Sequence, residues 1–141
     1  MDSASTGDKR LALCRTLILQ RKLAKELLGA GLCANPIWDM LLELYVADRQ
    51  AELLYIWQLS VSANIPISSA HRKIDIMVHK GFVERTIDES DLRRVGIQLA
   101  SPFRDMLDEL FDTLTHMLMT SCCQCGSGGG AHSSSDRAPH G

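Results

Sequence analysis

The stretch from Leu53 to Ala100, LLYIWQLSVSANIPISSAHRKIDIMVHKGFVERTIDESDLRRVGIQLA, changes its hydrophobic period twice, and few folds accommodate that change. Leu53 to Ile56 are apolar and partly β-branched or aromatic, the composition of a short strand. Trp57 to Asn64 reads as a brief helix with Leu59 and Ala63 inward, closed by Ile65 and Pro66. Pro66 holds the residue before it in extended geometry, so the next helix starts at a new angle. Ser68 is expected to cap that helix, and Ala70, Ile74, Met77 and Val78 follow at i, i+4, i+7 and i+8, burying one face. Ser69, His71, Arg72, Asp75 and His79 occupy the other face, and Gly81 supplies the exit.

Beyond Gly81 the period becomes two. Phe82 to Ile87 form one arm, and Val95, Ile97 and Leu99 alternate with Gly96 and Gln98 in the other. Between them lies a polar tip, Asp88, Glu89, Ser90, Asp91, Leu92, Arg93 and Arg94, so an antiparallel hairpin is expected. A helix followed at once by a ribbon with a charged tip sets a rod beside a finger, a shape that grips a duplex.

The flanks are helical. Residues 1–8 are small and polar and read as a flexible terminus. From Lys9 to Leu28, Leu11, Leu13, Leu17, Ile18, Leu19, Leu23, Leu27 and Leu28 approach helical spacing. Arg15, Arg21, Lys22 and Lys25 read as the solvated face, and Gly29 and Gly31 as the stop. Asn35 and Pro36 start a helix to about Asp48: Asn caps the free amides, and Pro at the first position forfeits no hydrogen bond. Asp39 in its first turn suits the helix dipole. Ser101 and Pro102 repeat this grammar and launch a long helix to about residue 121, striped with Phe103, Met106, Leu107, Leu110, Phe111, Leu114, Met117 and Leu118. That stripe is broader than a small domain needs for its own core, and a subunit contact is the natural partner for the surplus. Residues 122–141 read as a disordered Cys/Gly/Ser-rich tail. The class is therefore mainly α with a small β-hairpin, α+β.

A formal charge of −2 argues against a polycation that coats nucleic acid, so any duplex binding rests on a local patch. Within residues 66–100, Arg72, Lys73, Lys80, Arg85, Arg93 and Arg94 outnumber Asp75, Glu84, Asp88, Glu89 and Asp91 by one. No apolar run approaches the ~20 residues of a membrane span. Lys9 and Arg10 precede an apolar run that Arg15 interrupts after four residues, too short for a signal segment, so a cytoplasmic chain with no membrane partner is expected. No phosphate loop, nucleophile elbow or His-Glu helix motif occurs, so neither catalysis nor a cofactor is expected.

The central stretch resembles the winged-helix DNA-binding domain of MarR-type bacterial regulators. The resemblance rests on the strand and helix pair, on the exit Gly81-Phe82-Val83, and on the wing DESDLRRVGIQL from Asp88 to Leu99. The family's wing commonly reads Asp-Pro-x-Asp-x-Arg-Arg; Glu89 stands in place of the Pro, while Asp91, Leu92, Arg93 and Arg94 keep the rest. Similarity extends over about residues 36–120, with the specific part at 53–100. It implies a winged helix-turn-helix domain over 36–100, flanked by N- and C-terminal dimerisation helices at 9–35 (with linker) and 101–121. It implies a homodimeric regulator on double-stranded DNA, at a pseudo-palindromic promoter site, with helix 68–80 in the major groove and wing 88–94 at the minor groove. Ser68, Ser69, His71, Arg72 and Lys73 are then the helix's DNA-binding residues. Arg93 is the wing arginine, held by Asp91, and Arg94 lies on phosphate or on the strand stem. The family often couples a small-molecule effector to the angle between its reading heads, and Trp38, Tyr45 and Trp57 are candidates to line such a cleft.

Two other readings stand beside this one. The same fold serves as a protein-contact module without DNA binding, in which Arg93 and Arg94 are solvated hairpin residues paired with Asp88 and Asp91. Alternatively Cys122, Cys123 and Cys125, with His132 and His140, make a thiol- or metal-responsive regulator. Structural zinc usually needs two such Cys pairs on folded loops, so no metal site is assigned and incidental thiols are expected. Cys14 and Cys33 read as small core residues.

Overall fold

Backbone stops divide the chain where its sequence says they should. The computed structural model describes residues 2–91 and 94–131, with side chains over 6–91 and 94–121. Helix α1 (Asp2–Leu28) ends at Gly29, whose φ of 100° lies in the left-handed region. Helix α2 (Pro36–Arg49) starts as expected, with the Asn35 side chain accepting from the Trp38 amide at 3.4 Å. Strand β1 (Leu54–Tyr55) leads into α3 (Ile56–Ala63), where the Tyr55 amide donates to Gln58 Oε1 at 2.9 Å. Asn64, at φ 60°, closes α3. Helix α4 (Ile67–His79) follows, then β2 (Val83–Ile87), β3 (Val95–Leu99) and α5 (Ser101–Ala131).

The hairpin is antiparallel, with Arg85 opposite Ile97 and Ile87 opposite Val95. β1 adds to its other edge, placing Leu54 opposite Ile97 and Tyr55 opposite Gly96, so the sheet order is β1-β3-β2. With α3 and α4 packed beside it, this is a winged helix-turn-helix. Its core is threaded by α2, whose Met40, Leu42, Leu44 and Tyr45 are essentially inaccessible and meet Leu59, Ile74, Met77, Ile97 and Phe111. Each such side chain contributes about 1.5–3 kcal/mol through its burial. Tyr45 meets Phe111 edge-on at 4.7 Å and donates its hydroxyl to Asp108 at 2.6 Å. Phe82 stacks on Phe103 at 4.2 Å, anchoring the helix exit to α5.

Several expectations change. The first helix begins at Asp2, so the residues expected to be flexible are helical; buried Gly7 admits the Arg49 guanidinium against α1, which gives the early turns a partner. The basic face of α1 is not simply solvated. Lys25 Nζ reaches Asp39 Oδ2 at 2.6 Å, Arg21 bonds both Asp39 and the Cys33 carbonyl, and Asp39 is buried between α1 and α2. Leu13, Leu17 and Ile18 of α1 pack on the core, whereas Leu19, Leu23, Leu27 and Leu28 are exposed. α5 continues through residues 122–131, expected as tail, because each residue added to an existing helix gains a hydrogen bond and no proline interrupts it. The rest of the tail, including His132 and His140, lies outside the described residues.

Candidate nucleic-acid interface

Helix α4 presents two faces. Ala70, Ile74 and Met77 are buried, and Ser68, His71, Arg72, Asp75 and His79 are exposed on the side away from them. Pro66 precedes the helix and no side chain caps it, so Ser68 is not the cap; it is the second helical residue, its hydroxyl exposed. Ser69 is half-buried and sits 3.5 Å from Arg72 Nη2, while Lys73 is half-buried toward the flank. Asp75 is drawn into an ion pair with Arg85 of β2, which ties the helix to the hairpin.

The hairpin is braced by a network built around Asp88. The Asp88 amide donates to the Arg94 carbonyl at 3.0 Å, and the Asp91 amide to the Asp88 carbonyl at 3.1 Å. The buried Asp88 carboxylate accepts the Tyr55 hydroxyl at 2.5 Å, and the Ser90 amide and hydroxyl at 2.9 and 2.7 Å. Those donors stabilise the charged form and hold its pKa down to about 2, the Tyr55 hydroxyl first among them. The same bond raises the pKa of the Tyr55 phenol. Arg94 lies over the Tyr55 ring, 4.1 Å from its centroid, with Nε 3.8 Å from Asp88 Oδ2. Arg94 thus packs on the stem of the hairpin, with its side chain half exposed.

Asp91 is half-buried. Arg93 lies outside the described residues, and with it the expected Asp91–Arg93 pair. So do the side chains of Cys122, Cys123 and Cys125. Cys14 is buried beneath α2, donating its thiol to the Leu42 carbonyl at 3.3 Å, and burial pushes its pKa up to about 12. Trp38, Tyr45 and Trp57 do not line one cleft: Tyr45 is core, Trp38 packs at the core's margin, and Trp57 is exposed. A cleft of about 410 Å³ lies instead between the end of α2 and the hairpin, lined in part by Leu44, Asp48, Glu52, Ile87, Glu89 and Gln98. The Tyr55–Asp88 bond and the pairing of Asp39 with Arg21 and Lys25 are contacts that sequence reading did not assign. The partners lie 33 residues away for Tyr55 and 18 and 14 away for Asp39, with no local pattern to announce them.

No family model matches the chain, and neither does any curated protein. Solved structures do. A MarR family transcriptional regulator from Silicibacter pomeroyi superposes with a TM-score of 0.52 at 18% identity, over 86% of this chain and 74% of that one. S. aureus MepR in complex with DNA gives 0.56 at 16% identity, over 82% and 92%. S. aureus MepR bound to ethidium bromide gives 0.53 at 18%, over 80% and 79%. The chain therefore has the MarR-type winged helix-turn-helix fold. No helix among the described residues is long and apolar enough to cross a membrane.

Proposed function

We propose that this chain is a non-enzymatic, DNA-binding transcriptional regulator of MarR type, acting as a homodimer on a pseudo-palindromic promoter site. The observation that carries the reading is the exposed polar face of α4, with Ser68, His71 and Arg72 standing beside a braced hairpin while the opposite face is locked into the core. In this reading the first turns of α4 enter the major groove, with Ser68, Ser69, His71, Arg72 and Lys73 on bases and phosphates. The wing, with Asp91, Arg93 and Arg94, reaches toward the minor groove. The fold shared with the MepR–DNA complex supports this use of the surface. Exposed Met106, Met117 and Leu118 on α5, and Leu23 and Leu27 on α1, support the homodimer. We assign a small-molecule effector to the cleft between α2 and the hairpin, where occupancy bears directly on the wing.

The test is retention on non-specific duplex DNA at low salt, comparing the wild type with Arg72→Ala and Arg93→Ala. Each variant is expected to bind more weakly and to lower the salt slope by about one. Undiminished binding by both variants, or none by the wild type, removes the proposed surface.

A further inference from the structure

The polar face of α4 has an apolar foot. Ile67, the first residue of the helix, is 49% exposed, and beside it stand Trp57 at 57% and Val95 at 39%. With Tyr55, Ile56 and Arg94 these side chains line a shallow, open slot of about 290 Å³, where the starts of α3 and α4 meet the stem of the hairpin. Among the described residues, Ile67, Trp57 and Val95 stand outside both the core and the apolar side chains packed against it. The core beneath is already closed by Leu59, Ala70 and Ile74.

We propose that this slot reads thymine: Ile67, backed by Trp57, takes up the C5-methyl group of a thymine in the major groove. The inference rests on the reading of α4 as the recognition helix and adds a base to it. Base edges are met by the N-terminal residues of such a helix, and Ile67 is the N-terminal residue of α4. In the major groove thymine alone presents a methyl group, so an apolar side chain among hydrogen-bonding neighbours discriminates it from cytosine at the same step. Ile67 stands one helical turn before His71 and on the same side of α4, so a methyl contact and a polar contact fall on neighbouring bases. The Arg94 guanidinium lies over the Tyr55 ring with its side chain still 49% exposed, and the positive rim it makes suits a phosphate-bearing partner better than an apolar protein surface.

The experiment begins with a duplex selected by the wild-type protein from a randomised pool, then remade with deoxyuridine in place of each thymine in turn. Deoxyuridine pairs identically and lacks only the methyl group. One position per half-site is expected to bind about fourfold more weakly, the worth of one buried methyl-sized group. Ile67→Ala should bind the two duplexes equally, and Ile67→Val should keep part of the difference. Equal binding of both duplexes by the wild type overturns the thymine assignment while leaving α4 as the reading helix. Failure to select any duplex overturns that reading and this inference together. A change in sedimentation of Ile67→Ala with an unaltered thymine-to-uracil ratio assigns the slot to a protein contact and overturns the proposal.

Discussion

At the scale of single residues, the hairpin depends on one phenol. Tyr55 supplies the hydrogen bond that does most to depress Asp88, and its ring carries Arg94. Asp88 titrates from about 4 when unfolded and from about 2 when folded. Its contribution to stability is therefore present in full above pH 4 and lost as the pH falls from about 4 toward 2. Tyr55→Phe should move the folded pKa upward and shrink the pH dependence of stability within that window, as read by carboxyl-carbon NMR titration. An unmoved Asp88 would show that Ser90 and Arg94 hold the carboxylate without Tyr55. The Tyr55–Asp88 bond is not legible in sequence. Asp88 reads there as the first residue of a polar tip and as a candidate partner for the wing arginines, and Tyr55 only as an aromatic in a short strand.

At the scale of elements, β1 is too short to be stable alone, and its pairing with β3 depends on a glycine. Tyr55 lies opposite Gly96, and a Cβ on Gly96 would fall on the Leu53 side chain, which lies against the glycine backbone. Gly96→Ala should cost about 1–3 kcal/mol by overpacking, measured as a lowered urea midpoint. Adding Leu53→Ala should return part of the loss, and strict additivity of the two changes would refute the contact. The alternation of Val95, Ile97 and Leu99 correctly located the strand but not its burial. Ile97 and Leu99 are inward, whereas Val95 is exposed beyond the core's edge, and Gly96 is covered by a neighbour 43 residues earlier in the chain.

For the whole molecule, the proposed homodimer rests on a surplus of exposed apolar surface. Phe103, Leu107 and Phe111 face the core from α5, while Met106, Met117 and Leu118 do not. Met106→Glu with Leu118→Glu is expected to convert a dimer to a monomer in sedimentation at micromolar concentration. Helix content should be unchanged, because both side chains are exposed. A wild type that sediments as a monomer, or a double variant that remains dimeric, would dismiss this face as the subunit contact. Arg10 fixes the angle between the two flanking helices within one subunit, donating to Asp112 at 2.8 and 2.7 Å from Nε and Nη2.

The sequence by itself determined the order and type of the elements and several of their boundaries, though neither the start of α1 nor the end of α5. Proline and asparagine starts, glycine exits and the switch from helical to alternating periodicity act within a few residues, so Asn35-Pro36, Pro66 and Gly81 could be read directly. It also determined that one face of α4 is polar and that a charged tip follows it. Only the tertiary structure decided which charges pair internally. Asp39 gathers Arg21 and Lys25, and Arg85 takes Asp75, while Arg94 leans on Tyr55 and Asp88 with half of its side chain still exposed. The reason is physical: periodicity is a local consequence of backbone geometry, whereas an ion pair forms wherever the fold brings opposite charges within reach.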